Sequence, residues 1–315
     1  MKILLITQGL SRIVKPLFSS KYDVVGVLES MPRNFTLKAP SNKLYELVKN
    51  SYFFLKGQPT NLKKFCEKRR TPYNYITKGR DIEIEQWVKD LQPDLIVVFS
   101  MSQLLRREIF TIPPYGAINM HPSYLPDYRG PNPDFWQYYY MEMNPGVTIH
   151  YIDEGEDTGD IIFKKREYIA LGTKSPERLD KLIGEVGVSL MLKAIEAIED
   201  GTVTRTKQPV ESSSCRARNL TIEEHSTIID WENWPIKRIW HILRGTELWL
   251  NAYEQPKGFF KGQRWQVGHF VVQPNNYKPG SLVKYKGQNA IAIPDGFIYL
   301  SIRFNLKKVL LLLTT

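Results

Sequence analysis

Asn119 and His121 stand two residues apart at the end of the apolar run Gly116–His121, "GAINMH". On a strand, positions i and i+2 send their side chains to one face, so an amide and an imidazole are presented together. The next residues, Pro122 to Pro133, carry prolines at 122, 126, 131 and 133 with Gly130 among them, which stiffens the loop. A third polar group comes from "YIDEGEDTGDII", Tyr151 to Ile162, where Asp153, Glu154, Glu156, Asp157 and Asp160 surround a glycine-containing turn. An amide, an imidazole and a carboxylate together suit acyl transfer. The amide N–H and a protonated imidazole can donate to a developing oxyanion. The carboxylate can orient the imidazole, raise its pKa or relay a proton. No serine or cysteine nucleophile is obviously placed beside His121, so the pattern points to direct attack by the substrate's own nucleophile.

Each of these features has a plainer reading. A lone Asn-x-His is ordinarily a strand end satisfied by local hydrogen bonds; the stiff loop and the acidic turn attached to it make a reaction centre the better account. Acidic turns are mostly solvated, and Glu154 and Glu156 fit that description. The turn lacks the Asp-x-Asp-x-Asp-Gly ladder of a calcium loop. Its single Asp-Thr-Gly cannot make an aspartic protease, which needs two. "GLSRIVKP" has one glycine and is not a phosphate loop. Trp136, Tyr138, Tyr139 and Tyr140 read as core or interface aromatics rather than a stacking platform, and Trp231, Trp234, Trp240, Trp249 and Trp265 as packing of a smaller domain.

The elements that must position these groups alternate in the α/β manner. Lys2–Thr7 and Tyr22–Ser30 are strand-like, with a short helix over Ser11–Phe18 between them. Ile82–Leu91 has helical spacing and leads into Pro93–Ser100, whose continuous apolar and β-branched run predicts a parallel strand buried on both faces. "GVTIHYID" and "DIIFKKREYIA" alternate and suit antiparallel partners; Ser175–Ile198 reads as one long helix. Asp200–Asn219 is polar and reads as a connector. Beyond it come "PIKRIWHILRG", a helix ending at Gly245, and several short strands suggesting a small barrel. The expected fold is therefore α/β: a catalytic domain over residues 1–204 with a Rossmann-like, mostly parallel sheet, a linker over 205–218, and a small β-barrel domain over 219–315.

Composition narrows the class. The chain has 315 residues, 42% hydrophobic and 24% charged, which suits globular domains with real cores. It offers no apolar run of transmembrane length, and "LLIT" reads as a first strand rather than a signal peptide. No membrane partner and a cytoplasmic location are expected. Cys66 and Cys215 have no metal-ligand spacing and fit reduced thiols. The net charge of +10 suggests a partner bearing phosphates, although lysine spread for solubility explains it equally well.

"NMHPSYLPDYRG" followed by "GVTIHYIDEGEDTGDII" closely resembles the folate-dependent formyltransferase family, whose motif is Asn-x-His, Leu-Pro-x-x-Arg-Gly, a Gly-Val-Thr strand and an Asp-Thr-Gly loop. The resemblance implies the formyltransferase fold, with an OB-like barrel following the catalytic domain as in the tRNA and sugar-nucleotide branches. It implies 10-formyltetrahydrofolate as formyl donor, an amine as acceptor and no metal. The family's catalytic residues fall on Asn119, His121 and Asp157. Folate contacts fall on Ser100, Met101, Leu104 and Leu105 after the fourth strand, and on Asp153, Gly155 and Glu156 in the acidic loop. Among acceptors, "GPNPDFW" after Arg129 looks like the sugar N-formyltransferases, as do "TQGLSRIVKP" and the apolar, helical pattern of Met31–Gly57. A nucleoside-diphosphate-linked 4-amino or 3-amino deoxysugar for surface polysaccharide is the expected partner. Nucleic acid is expected only in the alternative methionyl-tRNA branch, and a non-catalytic RNA- or partner-binding role is a second alternative. Ser11 and Arg12 (a phosphate on the start of that helix), Tyr124, Arg129 and Asn132 are candidate substrate contacts, with Arg129 equally suited to locking its loop. The sugar branch is often dimeric, so a homodimer is expected.

Overall fold

Runs such as "KILLIT" and "LIVVF" carry apolar side chains at successive positions, so they are stable only where both faces are covered. The computed structural model, which describes residues 1–32, 61–77 and 79–305, places them at the centre of a sheet. Its strands are β1 (Lys2–Thr7), β2 (Asp23–Ser30), β3 (Tyr73–Ile76), β4 (Leu95–Phe99), β5 (Ala117–His121), β6 (Gly146–Tyr151) and β7 (Ile161–Arg166). The order is β3-β2-β1-β4-β5-β6-β7. The first five are parallel, whereas β6 runs antiparallel to β5 and β7 antiparallel to β6. Alternation along β1 feeds two cores: Ile3 and Leu5 pack on one face, Leu4 and Ile6 on the other, all with no exposed surface. The chain order reverses between β1 and β4, and beyond the carboxyl ends of such strands a crevice must open. Asn119 and His121 sit at that end of β5.

The chain divides into two units. The first comprises Met1–Pro133, Pro145–Glu167 and Leu179–Ala217 and holds the seven-stranded sheet; the second comprises Asp134–Asn144, Tyr168–Arg178 and Arg218–Thr315. The expected strands and the helix Asp81–Leu91 are present. Three expectations change in detail. The helix near Ser11 covers only Val14–Phe18. The single helix over Ser175–Ile198 is an α-helical turn at Ser175–Leu179, a π-helical stretch at Asp180–Gly187 and an α-helix at Val188–Glu199. The π-helical stretch holds Gly184 and Gly187, and glycine is a weak α-former; a Cβ at Gly187 would lie 3.3 Å from Val147 and 3.4 Å from Met120. The supposed connector is also not slack: residues to Ala217 belong to the first unit, with Thr206 bridged to Ile161. The stretch Met31–Gly57, apart from its first two residues, and the terminal "LKKVLLLLTT" lie outside the described residues.

In the second unit, β8 (Arg264–Val272), β9 (Leu282–Tyr285), β10 (Gln288–Ile293) and β11 (Gly296–Arg303) form an antiparallel sheet of order β8-β11-β10-β9. This is the small β domain expected from the sequence, with strands in open order among the described residues. The helix Ile236–Thr246 packs against it, and Trp240 Nε1 donates to the Gly268 carbonyl at 2.6 Å. The expected tryptophan packing is borne out here, Trp234 meeting Tyr139 and Trp249 meeting Phe135 edge-on. No helix among the described residues is long and apolar enough to cross a membrane.

Gly245 proves to lie inside the last turn of its helix rather than to stop it. Its place is taken by the Tyr138 ring, since a Cβ there would fall 2.4 Å from that ring. Tyr138 is itself anchored, its hydroxyl donating to Thr173 O at 2.9 Å. Gly245→Ala should therefore destabilise by about 1–3 kcal/mol through overpacking, although alanine is the better helix former. An unchanged or raised denaturation midpoint would show that the ring yields freely.

Candidate active site

The pairing of β5 with β6 builds the first half of the site. Asn119 lies opposite His150 and His121 opposite Thr148, so four polar side chains share one face. His121 is 4% exposed; its Nε2 lies 3.0 Å from the Tyr128 carbonyl, to which it donates, leaving Nδ1 as the basic nitrogen. His150 makes the opposite choice, its Nδ1 donating to Tyr151 O at 2.8 Å. That leaves Nε2 to accept from Asn119 Nδ2 at 3.2 Å.

The second half is Asp157. Its carboxylate reaches across so that Oδ2 stands 3.4 Å from His121 Nδ1, while Oδ1 stands 3.5 Å from Asn119 Nδ2 and 3.6 Å from His150 Nε2. The Gly130 N–H donates to Oδ2 at 3.0 Å. Asp157 is in left-handed backbone at φ +57°, a conformation costly for most side chains but tolerated by Asp. The Gly159 that follows is required by close approach, because a Cβ there would fall 1.9 Å from Tyr151 O. Gly130 has φ +122° and a similar constraint, 2.9 Å from Ala217 O.

These groups fix one another's charge. Burial alone would raise the Asp157 pKa. The pull of His121 and His150 in their protonated forms, together with the hydrogen bond from the Gly130 N–H, outweighs it and holds the carboxyl far below the usual range. Burial pushes His121 below its ordinary value of 6.5 against the pull of Asp157, so the resting imidazole is neutral. A carboxylate 3.4 Å from its bare Nδ1 is poised to stabilise the imidazolium once a proton arrives.

The brace behind this arrangement comes from the segment read as a connector. Gln208 Nε2 donates to both the Asp157 and Gly159 carbonyls, at 3.0 and 2.7 Å. Its Oε1 accepts from Arg129 Nε and Nη2 at 3.2 and 2.8 Å. Arg129 also donates to the carbonyls of Pro209 and Val210, and Ala217 bonds the backbone of Arg129 and Asn132. One side chain thus ties the aspartate loop to the proline-rich loop.

The three side chains open on a cavity of about 510 Å³. The folate residues expected from the sequence, Ser100, Met101, Leu104 and Leu105, line one part of it, and Asp153, Gly155 and Glu156 another. Ser100 has φ +72°, and its hydroxyl donates to Gln8 at 3.1 Å. Ser11 and Arg12 also line the cavity. Their helix begins at Val14, however, and Arg12 Nε pairs with Asp180 at 2.8 Å, so the guanidinium is committed to a carboxylate rather than held ready at a helix start. The structure does not bring Tyr124, Arg129 and Asn132 to the cavity. Tyr124 stacks beneath Lys164 and Arg166, Arg129 is the loop lock just described, and the Asn132 N–H is spent on Ala217 O. Sequence reasoning missed His150 and Gln208. His150 could have been found from the alternation of "GVTIHY", which puts Thr148 and His150 on one face; nothing in the polar run around Gln208 marks it. Among the described residues no group of three or more His, Cys, Asp or Glu is placed to hold a metal ion.

A family profile described as "Formyl transferase" matches residues 52–195. A methionyl-tRNA formyltransferase of Clostridium tetani is 33% identical over 232 residues, which is 72% of either chain. The fold is shared with the N-formyltransferase from Helicobacter canadensis, solved with folinic acid and dTDP-3-aminofucose: TM-score 0.61 and 17% identity over 96% of this chain and 100% of that one. HypX from Aquifex aeolicus, solved with tetrahydrofolic acid, gives a TM-score of 0.60 at 17% identity over 95% of this chain. The present chain spans only 43% of HypX. The chain belongs to the formyl transferase family and is a formyltransferase.

Proposed function

We propose that this enzyme moves the formyl group of 10-formyltetrahydrofolate to the amine of a nucleoside-diphosphate-linked amino deoxysugar. The observation that carries the reaction is the convergence of Asn119 and His121, from the end of β5, with Asp157, from the acidic loop, on one cavity. The cavity suits a pterin: Met101 and Leu105 offer an apolar wall, and the acidic loop offers acceptors to its N–H groups. When bound, the folate supplies the activated formyl carbon.

Asn119 Nδ2 donates to the formyl oxygen as the acceptor amine adds to the carbon. The bond to Asp157 Oδ1, long at 3.5 Å, is the one it surrenders most readily. His121 Nδ1 takes the proton lost by the attacking nitrogen, and ionised Asp157 holds the resulting imidazolium. The same proton then passes to the departing folate nitrogen, so the imidazole ends neutral as it began. His150 positions the Asn119 amide, and Gln208 positions the Asp157 backbone.

Charge within the cavity favours a small neutral group beside the amine. The lining holds Asp153, Glu154, Glu156 and Asp157, of which Glu154 pairs with Arg107 and Glu156 with Arg216, and it holds Arg12, which pairs with Asp180. Among the described residues of the lining Arg12 is the one cation beside the two histidines, and it is already paired, so the carrier's diphosphate stays outside while the amino sugar enters. Pro131 and Pro133 of the sugar-like "GPNPDFW" segment form part of the wall. The name of the C. tetani relative favours a second reading, formylation of methionyl-tRNA, in which the polyanion also stays outside.

A panel of nucleoside-diphosphate amino sugars and charged initiator tRNA, offered with 10-formyltetrahydrofolate, should give turnover with a sugar nucleotide; formylation of the tRNA alone would reject the acceptor proposed. Asn119→Ala and His121→Ala should each lower kcat by about a hundredfold or more while the fold is kept. Near-normal rates in either variant would remove that residue from the mechanism. Gln208→Ala should lower kcat by roughly ten- to a hundredfold with a smaller change in KM, because it displaces groups rather than removing them.

The pH profile follows from His121. A lowered pKa means that the neutral base is fully present at and above pH 6.5 and is lost as pH falls through its folded value. The acid limb of kcat should therefore lie below pH 6.5. Asp157→Asn removes the charge that holds the imidazolium and should move the limb further down. An upward move would contradict the assignment of base and carboxylate.

A further inference from the structure

The second unit has a one-sided charge distribution that the reaction does not use. Residues 255–294 include Lys257, Lys261, Arg264, Lys278, Lys284 and Lys286 and no acidic residue at all. Strand register gathers much of this at one end of the sheet. Arg303 pairs with Arg264 where β11 ends and β8 begins, and Lys284 and Tyr285, opposite Asn289 and Gln288, bring the β9–β10 turn to the same end. The turn Gly258–Phe260 precedes β8 there, with Phe259 93% and Phe260 37% exposed, and Phe304 follows β11 at 57%. Lys261, Lys284 and Lys286 are exposed. Glu247 is buried against Lys174 and Arg303, and Glu254 pairs with Lys257.

We propose that this end of the sheet is a docking surface for an anionic membrane interface, entered by Phe259 and Phe260 and held by the surrounding lysines. Exposed phenylalanines on a short turn with Lys261 beside them, and Lys284 and Lys286 at the same end of the sheet, match the chemistry of interfacial insertion, in which apolar rings enter the headgroup layer while ammonium groups meet lipid phosphates. Base stacking would call instead for rings lying open on the sheet face. There Tyr285 and Phe297 stack on each other at 3.9 Å with planes 6° apart. The surface adds peripheral association to a chain whose sequence led to the expectation of no membrane partner.

Co-sedimentation of the full-length enzyme with vesicles of phosphatidylcholine, with and without 30% phosphatidylglycerol as an anionic component (roughly the charge density that attracts polybasic segments), tests this. Binding should require the anionic lipid and weaken with salt. Lys261→Glu and Lys286→Glu should each lower it by about fivefold or more. Phe259→Ser with Phe260→Ser should weaken it while formyl transfer in solution is unchanged, which confirms folding. Equal binding to neutral vesicles, or no response to either pair of substitutions, overturns the proposal. So does an absence of vesicle binding, including the case where the same variants weaken a gel shift with tRNA, which would mark an RNA surface.

Discussion

The first unit is organised around a buried carboxylate that must stay charged. Asp157 is placed where desolvation opposes ionisation, and it remains an anion because the Gly130 N–H and the Asn119 amide donate to it and two imidazoles stand 3.4 and 3.6 Å away. Removing a charge from water is costly unless such partners are fixed in advance. That requirement explains much of the surrounding architecture. It accounts for the left-handed backbone at Asp157, for glycines at 130 and 159 where a Cβ would collide with carbonyls, and for Gln208 tying both loops together. The strain is supported by a network, and the same network holds the groups to which the proposed reaction assigns catalysis.

The same electrostatics separates two tasks. The cavity is lined by more acid than base, whereas the chain as a whole carries +10. In the proposed reaction an amine and a hydrogen-bonding pterin meet a lining rich in acceptors, and phosphates are left to surfaces outside it. Resting neutrality of His121 belongs to this scheme. In the proposed reaction an imidazolium held permanently against Asp157 could not take up the proton that the amine loses, and burial favours the neutral imidazole.

Local sequence was a good guide where chemistry and periodicity coincide. The apolar runs of β1 and β4 had to be central strands, and Asn119-x-His121 had to share a face because a strand repeats every two residues. The acidic loop was legible as a site because its carboxylates lie near in sequence to a second strand end. Sequence reading ran out where contacts depend on partners distant in the chain. Arg129 and Tyr124 lie within the most recognisable motif, and their contacts are set by residues 164–166 and 208–210, the loop-locking alternative for Arg129 being the one these contacts fit. Gly245 looked like a helix stop and is a seat for Tyr138, more than a hundred residues earlier.

The sequence by itself determined the elements, their order, and the identity of the amide, imidazole and carboxylate, since these follow from side-chain chemistry and short-range spacing. The tertiary structure decided which nitrogen of each histidine is free, that His150 belongs with the three, and that a polar segment near residue 208 is structural support. Those outcomes depend on strand register and on hydrogen bonds between residues tens of positions apart, and no local pattern encodes such distances.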